Sequence, residues 1–120
     1  MLSIGFGVIG LGRMGALHAQ HLAGSIRGAR LIGAAIDPSH RNALESKGDP
    51  IAPLADDAAA LIADPNVEAL VIASPSTEHQ AHVALAARAG KPVFCEKPLA
   101  DSVQGTLDAA SAVKRADIPF

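Results

Sequence analysis

Gly10-Leu11-Gly12-Arg13-Met14-Gly15 has the spacing G-x-G-x-x-G, which suits the holding of a diphosphate. The pattern carries weight only where it leaves a strand and opens a helix. Each glycine then has its own task. Gly10 permits the tight turn, Gly12 lets a pyrophosphate approach the backbone, and Gly15 lets the helix pack close to the strands. Arg13 and Met14 lie in the same turn, where a helix start offers unpaired N–H groups and about half a positive charge. An acid that holds the adenosine ribose belongs roughly 20 residues further on, and Asp37 stands 22 residues after Gly15. A carboxylate there accepts from both ribose hydroxyls and repels a 2′-phosphate. NAD is therefore favoured over NADP, although His40 and Arg41 nearby soften the preference. The plainer readings are a ligand-free glycine connection and, for Asp37 before Pro38, a turn aspartate.

Other nucleotide motifs fit less well. A P-loop needs lysine and a hydroxyl residue after its last glycine, whereas Gly15 is followed by Ala16. No G-x-S-x-G nucleophile elbow is present. A methyltransferase can pair a glycine turn with an acid after strand 2, but three glycines at this spacing fit a dinucleotide better.

The elements that must position these residues alternate. Ser3–Ile9, Ala29–Ile36, a weak Pro50–Pro53, Val67–Ala73 and Val93–Cys95 read as strands, and Ile118 begins a sixth. Helices are expected over Arg13–Ala23 with a stop at Gly24, Ser39–Lys47, Asp56–Ala63, Ser76–Ala89 and Asp101–Arg115. Asp56 and Asp101 are the expected caps, with Gln104 in capping-box position, and Asp64-Pro65-Asn66 is a turn. Continuous apolar strands separated by helices imply parallel pairing with both faces covered. The fold class is α/β, a Rossmann-type doubly wound parallel sheet.

Composition narrows the rest. A chain of 120 residues is one domain, here residues 1–120, and at that size it buries roughly two-thirds of its unfolded surface. A charged fraction of 18% and a hydrophobic fraction of 49% exclude a disordered tail. No Trp, no Tyr and 3 Phe argue against stacking platforms for single-stranded nucleic acid. A net charge of −2 gives no basic footprint for DNA or an anionic membrane. The single cysteine, Cys95, excludes an internal disulfide and reads as an inert thiol. The apolar start lacks a basic segment ahead of it, and no apolar run approaches a membrane span, so a cytoplasmic protein is expected. His18 with His21, and His79 with His82, could each share a helix face, but no further ligands stand nearby to make a metal site.

Two further stretches, Ser74-Pro75-Ser76-Thr77-Glu78-His79 and Cys95-Glu96-Lys97-Pro98-Leu99, complete a pattern. With Gly10–Gly15 and the following His18, they resemble in order the N-terminal domain of the Gfo/Idh/MocA oxidoreductases, the family of glucose–fructose oxidoreductase and inositol dehydrogenase. The resemblance covers essentially the whole chain. It implies a nicotinamide cofactor across the strand ends and hydride transfer to or from a sugar or polyol carbon. It implies that Ser74, Pro75 and Ser76 line the cofactor, that Glu96 lies by the nicotinamide ribose, and that Lys97 reaches the substrate hydroxyl and helps to transfer its proton. A lysine can do this where burial and nearby positive charge favour its neutral form. Glu96 could instead pair with Lys97. His79 fits the family's histidine at the start of its helix; equally, Ser76 or Thr77 caps that helix and His79 packs in its first turn.

Family members are longer and carry a second α/β domain that forms the substrate wall and much of the oligomer interface. The chain is therefore expected to be the cofactor half, ending as strand six begins, with the substrate domain absent. It is expected to bind NAD and to be catalytically incomplete by itself. Ile118 and Phe120 on the open edge could drive homo-oligomer formation. The alternative is a non-enzymatic dinucleotide sensor, against which an intact Glu96-Lys97-Pro98 argues.

Overall fold

The computed structural model describes residues 2–37 and 53–120. The expected helix Ser39–Lys47 and most of the expected strand Pro50–Pro53 lie outside the described residues. The continuous apolar runs form one parallel sheet of β1 (Ile4–Ile9), β2 (Ala29–Ala35), β3 (Ala69–Ile72) and β4 (Val93–Cys95), in the order β2-β1-β3-β4. The helices between them are α1 (Arg13–Gly24), α2 (Ala58–Ala63), α3 (Ser76–Arg88) and α4 (Val103–Ala116). None of them is long and apolar enough to cross a membrane.

The register sorts the strand side chains onto two faces. Val8 pairs with Ala34 and Val71, and these three pack with Ala19 and Leu22 of α1. Their neighbours Ile9, Ala35 and Ile72 face the other way, into a larger core with Leu61 of α2, Val83 and Ala86 of α3, and Ala109 and Val113 of α4. Helices therefore cover both faces, as a doubly wound sheet requires. Val8, Leu70, Ile72 and Val83 are fully buried, each contributing about 1.5–3 kcal/mol of apolar transfer free energy.

Both sheet edges extend further. Leu54 forms a parallel bridge to Ala34, and the Pro53 carbonyl accepts from the Ala34 N–H, so the weak third strand meets β2 slightly later than expected. At the other edge the Pro119 carbonyl accepts from the Val93 N–H at 3.0 Å, but residues 118–120 form no strand, so the expected sixth strand is present only as this one contact beside β4. Ile118 packs against the core, so of the two residues expected on an open edge only Phe120 is exposed.

Local chemistry moved several boundaries. Asp57, not Asp56, caps α2, because Asp57 is the residue with extended backbone and its carboxylate accepts from the Ala60 N–H at 2.7 Å. Ser102, not Asp101, caps α4 for the same reason, accepting from the Gly105 N–H at 2.9 Å. That leaves no capping box; Gln104 donates instead to Asp108. Helix α1 runs through Gly24 to a cap at Ser25. Asp64 turns the chain as expected, its carboxylate accepting from the Asn66 N–H.

Candidate functional site

Every sequence-predicted site residue lies at or just past the carboxyl end of a strand, or in the helix turn that follows. This is the edge where parallel α/β sheets bind ligands. Chain direction dictates the grouping: β1, β2, β3 and β4 are parallel, so the loops that leave them share one edge. The Gly10 N–H donates to the Ala35 carbonyl at 2.7 Å, the Ala73 N–H to Ile9 at 2.8 Å, and the Glu96 N–H to Ile72 at 2.9 Å. These bonds tie the four exits together. Chain direction also makes β1 and β3 the switch point, because α1 leads to β2 on one side while β3 leads away on the other.

The three glycines differ in what surrounds them. Gly10 has φ +93°, and a Cβ there would lie 2.7 Å from the backbone of Ala73 and Ser74. Gly15 is buried, and a Cβ there would lie 1.8 Å from the Gly10 carbonyl oxygen. Gly12 is the opposite case, with nothing among the described residues within 4 Å of its Cβ position. It sits in the cap position of α1, which receives no side-chain cap. The leading N–H groups of the helix, at exposed Arg13 and Met14, therefore open onto clear space. Two of the glycines are explained by the protein's own packing. Gly12 is not, and a dinucleotide diphosphate fits the space it leaves.

Asp37 is exposed two residues past the Ala35 carbonyl that holds Gly10, which places it beside the glycine turn. Ser74 is buried directly after β3; Pro75 occupies the cap position of α3 and Ser76 is its first residue. Helix α3 has no side-chain cap, so neither Ser76 nor Thr77 serves as one. Proline instead sets the entry into the helix.

His79 is 2% exposed and spans two loops. Its Nε2 lies 2.7 Å from the Ser74 carbonyl oxygen and its Nδ1 lies 2.6 Å from the Pro98 carbonyl oxygen. One turn on, His82 Nδ1 meets the Ser74 hydroxyl at 2.9 Å. Burial holds the His82 pKa below its ordinary value, outweighing the opposite pull of Glu78. The Ser74 hydroxyl can donate or accept, so it pairs with Nδ1 in either neutral tautomer of the ring.

Glu96 and Lys97 follow β4, and the Lys97–Pro98 peptide bond is cis. The Glu96 carboxylate does not take Lys97 as its main partner. It accepts from His18 Nε2 of α1 at 2.6 Å, and that hydrogen bond, more than the Lys97 charge, holds its pKa down. His18 also meets Phe94 edge-on at 5.4 Å between ring centroids. Lys97 itself is exposed beside the pair. Burial, then the neighbouring Glu96, pushes the Cys95 thiol up to about 11, so it is protonated and unreactive at neutral pH. Among the described residues no three His, Cys, Asp or Glu side chains gather as a metal site.

His18 and His82 hold the site without being among the site residues expected from the sequence. The sequence offered a signal for His18, its place just after the glycine pattern, but nothing local connects it to a glutamate 78 residues away.

The family model for an oxidoreductase family with an NAD-binding Rossmann fold, GFO_IDH_MocA, matches residues 4–119. The chain is 41% identical over 113 residues to an inositol 2-dehydrogenase of Acidothermus cellulolyticus, covering 93% of this chain and 33% of that protein. It is 40% identical over 116 residues to the inositol 2-dehydrogenase of Rubrobacter xylanophilus, covering 96% and 32%. A probable dehydrogenase from Thermotoga maritima superimposes with a TM-score of 0.86 at 33% identity, over 96% of this chain and 34% of that one. The scyllo-inositol dehydrogenase from Lactobacillus casei, solved with NAD(H) and scyllo-inositol, superimposes at 0.82 with 28% identity, over 96% and 34%. The chain spans about a third of the length of these relatives. With the strand-end glycine turn and the matched residues covering nearly all of it, the chain belongs to the Gfo/Idh/MocA oxidoreductase family as its NAD-binding Rossmann domain.

Proposed function

We propose that this domain holds NAD through the turn Gly10–Gly15 and Asp37, and that it serves an oxidoreductase acting on a polyol or sugar hydroxyl. The observation that carries the reading is the open face of Gly12 before an uncapped helix: protein packing gives no reason for glycine there, and close approach of a diphosphate does. The leading N–H groups at Arg13 and Met14 donate to the phosphates. The Asp37 carboxylate accepts from the adenosine ribose hydroxyls. Ser74, Pro75 and Ser76 border the middle of the cofactor and, with His79, shape that wall. Glu96, oriented by His18, receives the hydroxyls of the second ribose.

When bound, NAD supplies the acceptor or donor of a hydride. Lys97 stands exposed on the same edge, where it meets the substrate hydroxyl and exchanges its proton in a longer protein. The inositol dehydrogenase names of the relatives favour a cyclic polyol as substrate. The reduced Cys95 thiol suits the cytoplasm.

Calorimetric titration of the chain with NAD tests the cofactor site. The wild type is expected to bind. Gly12→Val is expected to abolish binding while costing at most about 1 kcal/mol of stability, the scale of a poor helix cap. A folded wild type that ignores NAD, or a Gly12→Val variant that binds it equally well, overturns the reading.

A further inference from the structure

We propose that Phe94 is a positioning residue for the cofactor site: its ring fixes His18, and His18 so fixed holds the Glu96 carboxylate in place for the dinucleotide. The functional half of this inference rests on the NAD reading; the packing half does not.

Phe94 is a large apolar side chain that the core does not explain. It pairs in register with Val71, which lies on the α1 face of the sheet. Val71 is 5% exposed there, whereas Phe94 is 55% exposed. Helix α1 packs over β1, β2 and β3, and its flank reaches β4 through His18. A ring left half in water gains little from burial. What it does meet is the His18 ring, edge-on at 5.4 Å between centroids and 66° between planes. In that arrangement the positive edge of one ring faces the negative face of the other.

Strand periodicity puts a third member on the same side. Residues two apart share a face, so Phe94 and Glu96 lie on the α1 side while Cys95 between them packs with the opposite core. The Glu96 N–H still donates to Ile72, so the ladder and its alternation run through Glu96. His18 therefore touches one strand at two points, its ring on Phe94 and its Nε2 on Glu96 at 2.6 Å. The two contacts do different work. The His18 and Glu96 side chains are each 23% exposed, and a polar pair in contact with water holds two flexible side chains only weakly. A hydrogen bond at one nitrogen also leaves the ring free to turn about that point. Packing on Phe94 at a second point removes the freedom. With both, His18 keeps one orientation and the carboxylate one position.

The consequence runs along α1. The helix opens with the N–H groups that take the diphosphate, and His18 follows Arg13 after roughly 7.5 Å of helix. Phe94 ties β4 to that helix, so one rigid element sets both the diphosphate turn and the acceptor of the second ribose.

Calorimetry with NAD tests the functional half. Phe94→Ala is expected to bind about fivefold more weakly, the affinity equivalent of one ring pair. Phe94→Tyr keeps the ring and is expected to bind as the wild type does. In a His18→Ala background, Phe94→Ala is expected to cost nothing more. Unchanged affinity in folded Phe94→Ala overturns the proposal, and so does a fivefold loss that persists without His18. Carbon-13 titration of the Glu96 carboxyl reads the packing half with no cofactor present. The wild-type midpoint is expected below 4.5, because the His18 hydrogen bond favours the charged form. Phe94→Ala is expected to move it up toward 4.5, and an unchanged midpoint overturns the hold on the pair. Should Phe94→Ala not fold, Phe94→Leu, which fills space without a ring, takes its place in both measurements. If the wild type binds no NAD at all, the cofactor reading falls while the titration still decides whether Phe94 fixes the pair.

Discussion

At the turn from β1 to α1 the chain is shaped by missing side chains, whereas around Ser74 and Lys97 it is shaped by side chains reaching across the fold. In the first region, Gly10 and Gly15 are needed because their own neighbours leave no room for a Cβ, and Gly12 leaves clear space in front of the helix. In the second, three histidines hold the loops: His18 takes Glu96, His79 takes Ser74 and Pro98, and His82 takes the Ser74 hydroxyl. The difference teaches where rigidity comes from. A glycine turn is stiffened by steric contact within a few residues and needs no partner. The histidine-held loops depend on hydrogen bonds, so protonation can alter them.

The sharpest way to break the comparison is Gly15→Ala. Its Cβ would sit 1.8 Å from the Gly10 carbonyl oxygen. Backbone cannot swing aside like a flexible side chain, so helix and turn must separate. The expected loss is about 3 kcal/mol, at the upper end for overpacking, read as a lower midpoint in urea. A loss below about 1 kcal/mol would mean that the turn is as adaptable as the loops opposite it.

A smaller effect separates the glycine turn from its acid. Asp37→Ala removes the proposed ribose acceptor and leaves Gly10, Gly12 and Gly15 untouched. NAD affinity is expected to fall by about 1–3 kcal/mol, the range for hydrogen bonds to a charged group that is lost. NADP affinity should fall less, since the carboxylate repels its extra phosphate. Equal losses for the two cofactors, measured by calorimetry, would remove Asp37 from the ribose site.

The same comparison explains what the sequence made legible. The glycine turn and strands β1 to β4 were readable because each rests on short-range patterns: glycine spacing, and apolar runs bounded by polar turns. Even there, the choice between Asp56 and Asp57, or between Asp101 and Ser102, turned on which residue took extended backbone, which adjacent capping residues do not disclose. The histidine contacts were not readable. His79 meets Pro98 across 19 residues and His18 meets Glu96 across 78, so only the folded sheet, by setting β3 beside β4 and α1 over their ends, brings them together. Family resemblance marked Glu96 and His79 as site residues without saying what held them.

The smallest expected effect concerns pH and bears only on the histidine-held side. Burial lowers the His82 pKa from 6.5, and the His18 hydrogen bond lowers that of Glu96 from 4.5. In each case the unfolded chain binds a proton at a pH where the native chain does not, so stability falls as pH falls through that window. The two windows open at different pH values. His82 contributes fully above its unfolded value and begins to lose that contribution below 6.5; Glu96 does the same below 4.5. The packing that holds Gly10 and Gly15, against Ala73, Ser74 and each other, involves no ionising side chain. Unfolding midpoints measured across this range should therefore decline in two steps. His82→Gln should remove the upper step and leave the lower, while Glu96→Gln should do the reverse. If both variants kept the wild-type profile, the acid sensitivity would arise elsewhere and the contrast between a steric turn and titratable loops would fail.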